Sequence, residues 1–122
     1  MSEKQQPLKD KSFLFALRIV KLYRYLTEEK KEYVLSKQLL RSGTSIGANI
    51  REAQNAQSSA DFIHKLSISQ KECDESLYWL ELLCQSGYLD QKEFDSINTD
   101  ATELLKMLRS AIITTKKKTY NS

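Results

Sequence analysis

Few residues have the types and spacing for chemistry, and in each case the spacing decides what they can do. The stretch RSGTSIGANIREA, residues 41–53, holds Gly43 and Gly47, two of the chain's three glycines. A phosphate-cradling loop needs Gly-x4-Gly-Lys-Ser/Thr after a strand. Here the glycines are four apart, no lysine follows and no strand pattern precedes, so that reading fails. Asp61 and the single histidine, His64, stand at i, i+3, half of a di-metal bundle motif. Such sites need two Glu-x-x-His copies and further glutamates. One copy with aspartate falls short, and helix capping already accounts for Asp61. His64 has no cysteine or serine at triad spacing. Glu72, Asp74 and Glu75 are close in sequence, but near-consecutive positions fan around a helix and read as a solvated or salt-bridged face. Cys73 and Cys84, if on one helix, are separated by roughly 16 Å of rise, too far for a disulfide. They read as two buried apolar thiols in a reducing compartment. No catalytic residue, metal site or cofactor is expected, and the chain reads as non-enzymatic.

The bulk composition sets the frame for these residues. With 122 residues, one domain is expected. Hydrophobic residues make up 40%, enough for one core, and charged residues 29%, which suits a solvated helical surface. Three glycines and one proline supply little turn material, which argues for few, long helices rather than many strands. The net charge of +3 is mildly basic, well short of a nucleic-acid-coating tail. The N-terminal stretch lacks the apolar h-region of a signal peptide, and no apolar run is long enough to span a bilayer. A soluble, cytoplasmic protein is the expectation.

Hydrophobic periodicity marks four helices. The first runs from about Ser12, a candidate cap, to Glu29, with Phe13, Ala16, Leu17, Val20, Tyr23 and Leu26 as its core stripe. Residues 27–33 read as a polar connection. The second runs from about 33 to 56. Leu35, Leu39, Ser42, Ile46, Asn49, Ala53 and Ala56 form one stripe; Lys37, Arg41, Thr44, Ala48, Arg51 and Asn55 form the opposite one. That alternation continues across Gly43 and Gly47, so both glycines belong inside a helix. Each costs about 1 kcal/mol relative to alanine there. A close helix contact at Gly43, Gly47 and Asn49 would offset that cost. Asn49, Ser42 and Ser69 lie on core-facing stripes, where a buried polar group either bonds across helices and fixes register or marks a partly wet end. Ser58 with Asp61 matches a capping box for the third helix. Its stripe is Phe62, Leu66, Ser69, Cys73, Leu77, Leu80 and Cys84, and Gly87 ends it in a left-handed turn. Asp90 and Glu93 cap the fourth helix, whose stripe runs from Phe94 through Ile97, Ala101, Leu104, Leu105, Leu108 and Ala111 to Ile112. Beyond it the basic segment from Thr114 is expected to fray. Short connections predict an all-α, antiparallel up-down-up-down four-helix bundle. It forms a single domain over 1–122, with its core at about 12–115 and short flexible tails.

Two surface features remain. The stretch LYWLELLC, 77–84, is apolar nearly all round: Ile68, Tyr78, Trp79 and Leu82 lie outside the core stripe. A helix of that kind is buried on more than one side, and another subunit is one way to supply the second burial. A long loop or the chain's own tails are another. Lys37, Arg41 and Arg51, with Lys65, Lys71 and the Lys116–Lys118 run nearby, form a basic stripe. Singly it is a solvated helix face; repeated around a ring, its summed field would attract RNA or DNA.

The stretches LLRSGTSIGANIREAQNA and ADFIHKLSISQKECDESLYWLELL resemble the four-helix-bundle proteins encoded by intervening sequences of bacterial 23S rRNA genes. Arg41, Ser45, Ile46, Ala48, Asn49, Ile50 and Glu52 match the second-helix signature. Phe62, Leu66, Ile68, Ser69, Glu75 and Leu80 match the third; Cys73 departs from it, standing where a small residue is expected. The resemblance implies a cytoplasmic bundle assembled into a homopentamer. It extends to the accessory variability determinant of diversity-generating retroelements, a pentameric bundle that binds nucleic acid through basic surfaces. The function expected is thus nucleic-acid binding by an oligomer without sequence specificity, with no membrane partner. The alternative is a protein-interaction scaffold with no nucleic-acid role.

Overall fold

The computed structural model describes residues 6–121. Four helices account for nearly all of them: α1 Pro7–Glu28, α2 Leu35–Ala53, α3 Ser59–Gln85 and α4 Gln91–Asn121. No strand occurs among the described residues. The contacts define the order of the bundle. Gly43 and Gly47 of α2 face Ile19 and Ser12 of α1, so the two helices run antiparallel. Ser69 and Ser76 of α3 bond to Ile46 and Ser42 of α2, again in reversed order. Cys73 and Cys84 meet Ala101 and Gln91 of α4. Lys11 reaches Glu103, and Arg18 reaches Asp100 and Glu93, so α4 returns antiparallel to α1. Each helix packs closely on its two neighbours, and among the described residues the backbones of the diagonal pairs, α1 with α3 and α2 with α4, stay more than 8 Å apart between Cα atoms.

Local signals explain the ends. Pro7 opens α1 at its first position, where its missing N–H and fixed φ suit the helix. Ser58 accepts the Asp61 N–H at 3.1 Å to cap α3, and Asp90 accepts the Glu93 N–H at 2.8 Å to cap α4. Gly87, at φ +87°, terminates α3, with the Gly87 and Tyr88 N–H groups bonded to Cys84 and Leu83 carbonyls. That is the two-bond pattern of a Schellman turn. The α1–α2 connection has a different device. The buried Glu32 carboxylate accepts N–H bonds from Val34, Leu35 and Ser36 at 2.7–3.1 Å, while the Ser36 hydroxyl donates to the Glu32 carbonyl. One acid therefore satisfies three otherwise orphaned donors at the start of α2.

Four expectations need correcting. Ser12 does not cap α1; it is buried inside that helix, bonded to the Lys9 carbonyl. The α1 core stripe is Ser12, Phe15, Ile19, Leu22 and Leu26, so Phe13 and Leu17 face outward, with Ala16, Val20 and Tyr23 only partly covered. The segment from Thr114 does not fray: α4 continues to Asn121, and Thr115 and Thr119 hydroxyls bond to carbonyls one turn back. Lysines are good helix formers and suit a helix C-terminus. Lastly, α2 starts at Leu35 and stops at Ala53, short of the 33–56 expected, because Glu32 starts it late. The expected flexibility of residues 1–5 and 122 lies outside the described residues.

The stripes of the other three helices meet in one core. Leu39, Ile46, Leu66, Leu80, Ile97, Leu104 and Leu108 are essentially inaccessible, along with Phe15, Ile19 and Leu26. Leu80→Ala should therefore lose about 2–5 kcal/mol.

Gly43 and Gly47 differ in how much they matter. A Cβ at Gly43 would lie 2.8 Å from Ile19 Cγ1 and 3.0 Å from Cγ2, on a stiff β-branched side chain. At Gly47 the nearest atom, Ser12 Oγ, would be 3.2 Å away. Gly43→Ala should then be net destabilising: overpacking costs about 1–3 kcal/mol, against a propensity gain of about 1 kcal/mol. Gly47→Ala should be near neutral. Urea midpoints would show this, and a Gly43→Ala protein as stable as the unmutated chain would refute the close contact.

Glu32 predicts a pH effect. Burial works to raise its pKa, but the three N–H bonds outweigh burial and hold it below the usual carboxylate range. A carboxylate lowered on folding stabilises above its unfolded value, about pH 4.3, and loses that contribution as pH falls through the folded value. Glu32→Gln should cost about 1 kcal/mol at neutral pH. The gap from the unmutated chain should close in acid; a constant gap across pH would mean the charge is not what caps α2.

Candidate functional site

None of the expected chemistry-bearing residues converge on a reaction centre. Cys73 is buried and its thiol donates to the Ala101 carbonyl at 3.2 Å. Burial, then the nearby Asp74, pushes the thiol up to about 12, so at neutral pH it is not a thiolate nucleophile. Both cysteines are free; the burial expected of both holds for Cys73 and is corrected for Cys84, which is only partly covered at the end of its helix. Asp61 is occupied at the start of α3, accepting the Gln57 N–H at 3.4 Å, and His64 is exposed. Among the described residues no group of three or more His, Cys, Asp or Glu is placed to hold a metal ion. A cleft of about 480 Å³ opens where α1 meets the start of α4. Its charged lining includes Arg18 and Glu93, already paired to each other at 3.0 Å. Among the described residues no helix is long and apolar enough to cross a membrane.

The basic stripe is largely engaged within the chain. Arg41 bonds to Glu75 at 2.6 Å and to Glu72 at 3.2 Å. The acidic cluster is thus salt-bridged, as one of its expected readings had it, but it does not simply fan out: Glu72 and Glu75, three apart on α3, converge on Arg41 of α2. Glu75 also accepts the Trp79 indole N–H at 3.0 Å. The indole first, and the guanidinium second, hold Glu75 below the usual carboxylate range. Lys65 pairs with Glu52 at 2.8 Å, which raises the lysine's pKa. Arg51 lies over the Phe13 ring at 5.2 Å, a cation–π contact between α2 and α1. Lys37 and Lys71 are exposed and make no ion pair among the described residues. Sequence reasoning saw the cations but not the α3 acids that meet them, because those pairings are 31 and 34 residues apart.

Asn49 bonds only to the Ser45 carbonyl of its own helix, at 2.9 Å, and does not bridge helices. The buried α2–α3 polar contacts are made by serines instead. Ser69 donates to the Ile46 carbonyl at 2.8 Å, and Ser76 donates to Ser42 at 2.9 Å, all within the buried core.

Exposed apolar residues lie on α1, α3 and α4 and in the α1–α2 connection, where Tyr33 and Val34 are bare; two groups of them bear on assembly. On α3, Tyr78 is 58% exposed and packs edge-on to Trp79 at 5.1 Å; Trp79, Ile68 and Leu82 are partly covered. Trp79 is moored by Glu75 and by packing on the core, so it serves its own chain at least in part. The second patch was missed by sequence reasoning. On α1, Phe13, Leu14 and Leu17 are 49%, 62% and 47% exposed. The signal was present: Phe15, Ile19, Leu22 and Leu26 make a complete helical stripe, which leaves Phe13, Leu14 and Leu17 as surplus.

The arrangement is that of an all-helical antiparallel bundle with no assembled reaction centre among its described residues and with exposed apolar residues on α1, α3 and α4. The chain belongs to the 23S rRNA-intervening sequence protein family, whose family model matches residues 4–110. It is similar to a crystal structure of a protein of unknown function from the S23 ribosomal protein family of Bacteroides thetaiotaomicron VPI-5482. The two share 60% sequence identity over 86% of this chain and 97% of the other, with a TM-score of 0.86. No curated protein matches the chain.

The Arg41 cluster predicts a contrast. Arg41→Glu would leave Glu72 and Glu75 facing a third acid across the α2–α3 seam. It should lower the urea midpoint by an amount equivalent to about 0.5–1 kcal/mol. Lys37→Glu, with no partner to lose, should stay within about 0.5 kcal/mol. Equal effects would mean that the cluster does not tie the two helices.

Proposed function

We propose that the chain is a non-catalytic, self-assembling scaffold, a cyclic homo-oligomer for which the family resemblance implies five subunits. The observation that carries this reading is the bare apolar face of α1: Phe13, Leu14 and Leu17 stand adjacent and roughly half exposed. Contiguous apolar surface of this kind marks an interaction site. The α3 residues Ile68, Tyr78, Trp79 and Leu82 form a second apolar surface in the same reading. Its two free thiols suit a reducing compartment, and the reading puts the chain in the cytoplasm. Light scattering coupled to size exclusion tests the assembly. A mass several times that of one chain is expected; a single-chain mass at every concentration would end the proposal.

A second reading, charge-driven binding of RNA or DNA by the assembled ring, is favoured by one observation. Lys37, Lys116 and Lys117 are exposed, the last two on the ordered final turns of α4. Arg41, Arg51 and Lys65 contribute less, since each already has a partner within the chain. Retardation of RNA and DNA alike is expected at low salt. Affinity should fall with a log–log slope of about −0.9 per phosphate contacted on duplex DNA. Joint reversal of Lys37, Lys116 and Lys117 to glutamate should abolish the shift without changing the oligomer mass. Binding that ignores salt, or none at low salt, would leave the scaffold alone.

A further inference from the structure

We infer that the groove between the start of α1 and the last turns of α4 holds an acidic amphipathic helix of a partner protein. Its apolar stripe lies on Leu8, Met107 and Ala111, and its carboxylates meet Lys106 and Lys117. The inference takes up the scaffold reading and names what the scaffold holds. Both walls of the groove belong to one chain, so the site is complete without a second copy.

The groove itself comes first. It encloses about 410 Å³, with Pro7 and Leu8 of α1 on one side and Lys106, Met107, Ser110 and Ala111 of α4 on the other. Its floor is apolar: Leu8 and Ala111 pack on the edge of the core, and Met107 is half-covered. An unbranched thioether adapts its shape to an irregular partner. The thin α1–α4 seam leaves this floor open. Lys106, Ser110, Ile113 and Lys117 stand at i, i+4, i+7 and i+11, one line along α4, and all four are exposed. Lys106 and Lys117 are roughly 16 Å apart along the axis, three turns.

Charge is the second observation, because on α4 it is sorted by position. Residues 91–103 hold four acids and one lysine; residues 104–121 hold five cations and no acid. The helix macrodipole favours cations only within the last turn. α4 ends at Asn121, so Lys106, Arg109 and Lys116 lie beyond that explanation. Lys106, Arg109, Lys116 and Lys117 are exposed and make no ion pair among the described residues. The nearest acids on the two walls are Glu103, taken by Lys11 at 2.7 Å, and Asp10, which is exposed and unpaired. On the adjoining helix ends, Glu52 is taken by Lys65, and Asp61 accepts the Gln57 N–H. Four unpaired cations therefore stand beside one unpaired acid, and the complement they call for is a row of carboxylates.

The third observation is reach. Cys73 meets Ala101 and Cys84 meets Gln91, a register that carries Ser59, the first residue of α3, to about residue 115 of α4. Past that point α4 continues as a helix with no other helix alongside. Lys117 thus stands clear of the bundle, and a partner lying in the groove reaches it without a clash. The occupant is a helix because the walls are helices, whose backbone groups are spent on their own hydrogen bonds and offer no strand edge to an extended peptide. A nucleic acid would match the cations and leave the apolar floor bare; an acidic amphipathic helix satisfies both.

The test uses the full chain and a fluorescently labelled synthetic helix of about 14 residues, four turns, with leucine along one stripe, glutamate on its flanks and alanine elsewhere. Anisotropy should rise to saturation and fall with added salt; no binding at low salt would sink the inference. Two control peptides, one with glutamine for glutamate and one with serine for leucine, should each bind at least several-fold more weakly. Met107→Lys removes apolar floor and adds a cation, so it should weaken the peptide several-fold. A site that reads charge alone would bind as well or better, and that result, or equal binding of the serine peptide, would make this a polyanion site and overturn the proposal. Should Met107→Lys lose its helical circular dichroism, Lys106→Glu and Lys117→Glu in one chain, both at exposed positions, test the same groove; unchanged peptide binding there counts against it. That double variant should keep the oligomer mass of the unmutated protein in light scattering. A lost mass would mean that the groove seats a second copy instead of a partner. A single-chain mass with the peptide still bound would end the self-assembly reading and leave the groove assignment standing.

Discussion

The close approach of α1 and α3 to α2 is the constraint on which the bundle depends. α2 presents small residues to both neighbours. Gly43 and Gly47 admit the backbone and stiff side chains of α1, with Ile19 seated against Gly43. On its other side Ser42 and the Ile46 carbonyl receive hydroxyls from Ser76 and Ser69 of α3. Small residues allow the approach, and buried hydroxyls fix the register, because a one-turn slip would strand each of them without a partner. The glycines carry a helix-propensity cost that only this packing offsets. The stretch around 41–53 is thus a joint rather than a ligand cradle.

α4 is held differently. It packs broadly on α3 but meets α1 over a thinner seam, and that seam is bridged by ions: Lys11 with Glu103, and Arg18 with Asp100 and Glu93. Surface ion pairs of this kind contribute little each, so α4 is held mainly by its packing on α3. This leaves α1, closely covered by α2 on one side only, carrying apolar residues on the side away from the bundle. The fold and the assembly reading meet there.

Much of the fold was legible because the period of apolar residues survives in α2, α3 and α4, and because capping chemistry is local. Ser58, Asp90 and Gly87 act within a few residues of themselves, so their roles can be read from neighbours in the chain. α1 was misjudged because it carries two apolar stripes at the same spacing. Periodicity cannot say which of them faces inward, and the decision is made by Gly43 accommodating Ile19 rather than Leu17. Glu32 was read as one more polar residue in a connection. A carboxylate that caps a helix two to four residues downstream has no fixed sequence pattern. The partners of Arg41 were out of reach for a similar reason: Glu72 and Glu75 come beside it only once α3 has folded back.

The placement of the two thiols on α3 gives the molecule a built-in clock. Cys73 is sealed between α3 and α4, while Cys84 is the last residue but one of α3, beside Gln91. A thiol reagent modifies only what it can touch, and only the thiolate reacts. Cys84 is therefore labelled in the native ensemble at a rate set by local fraying, whereas Cys73 waits for α3 and α4 to separate. The two labelling times on one helix then report separately on end-breathing and on the cooperative opening of the core.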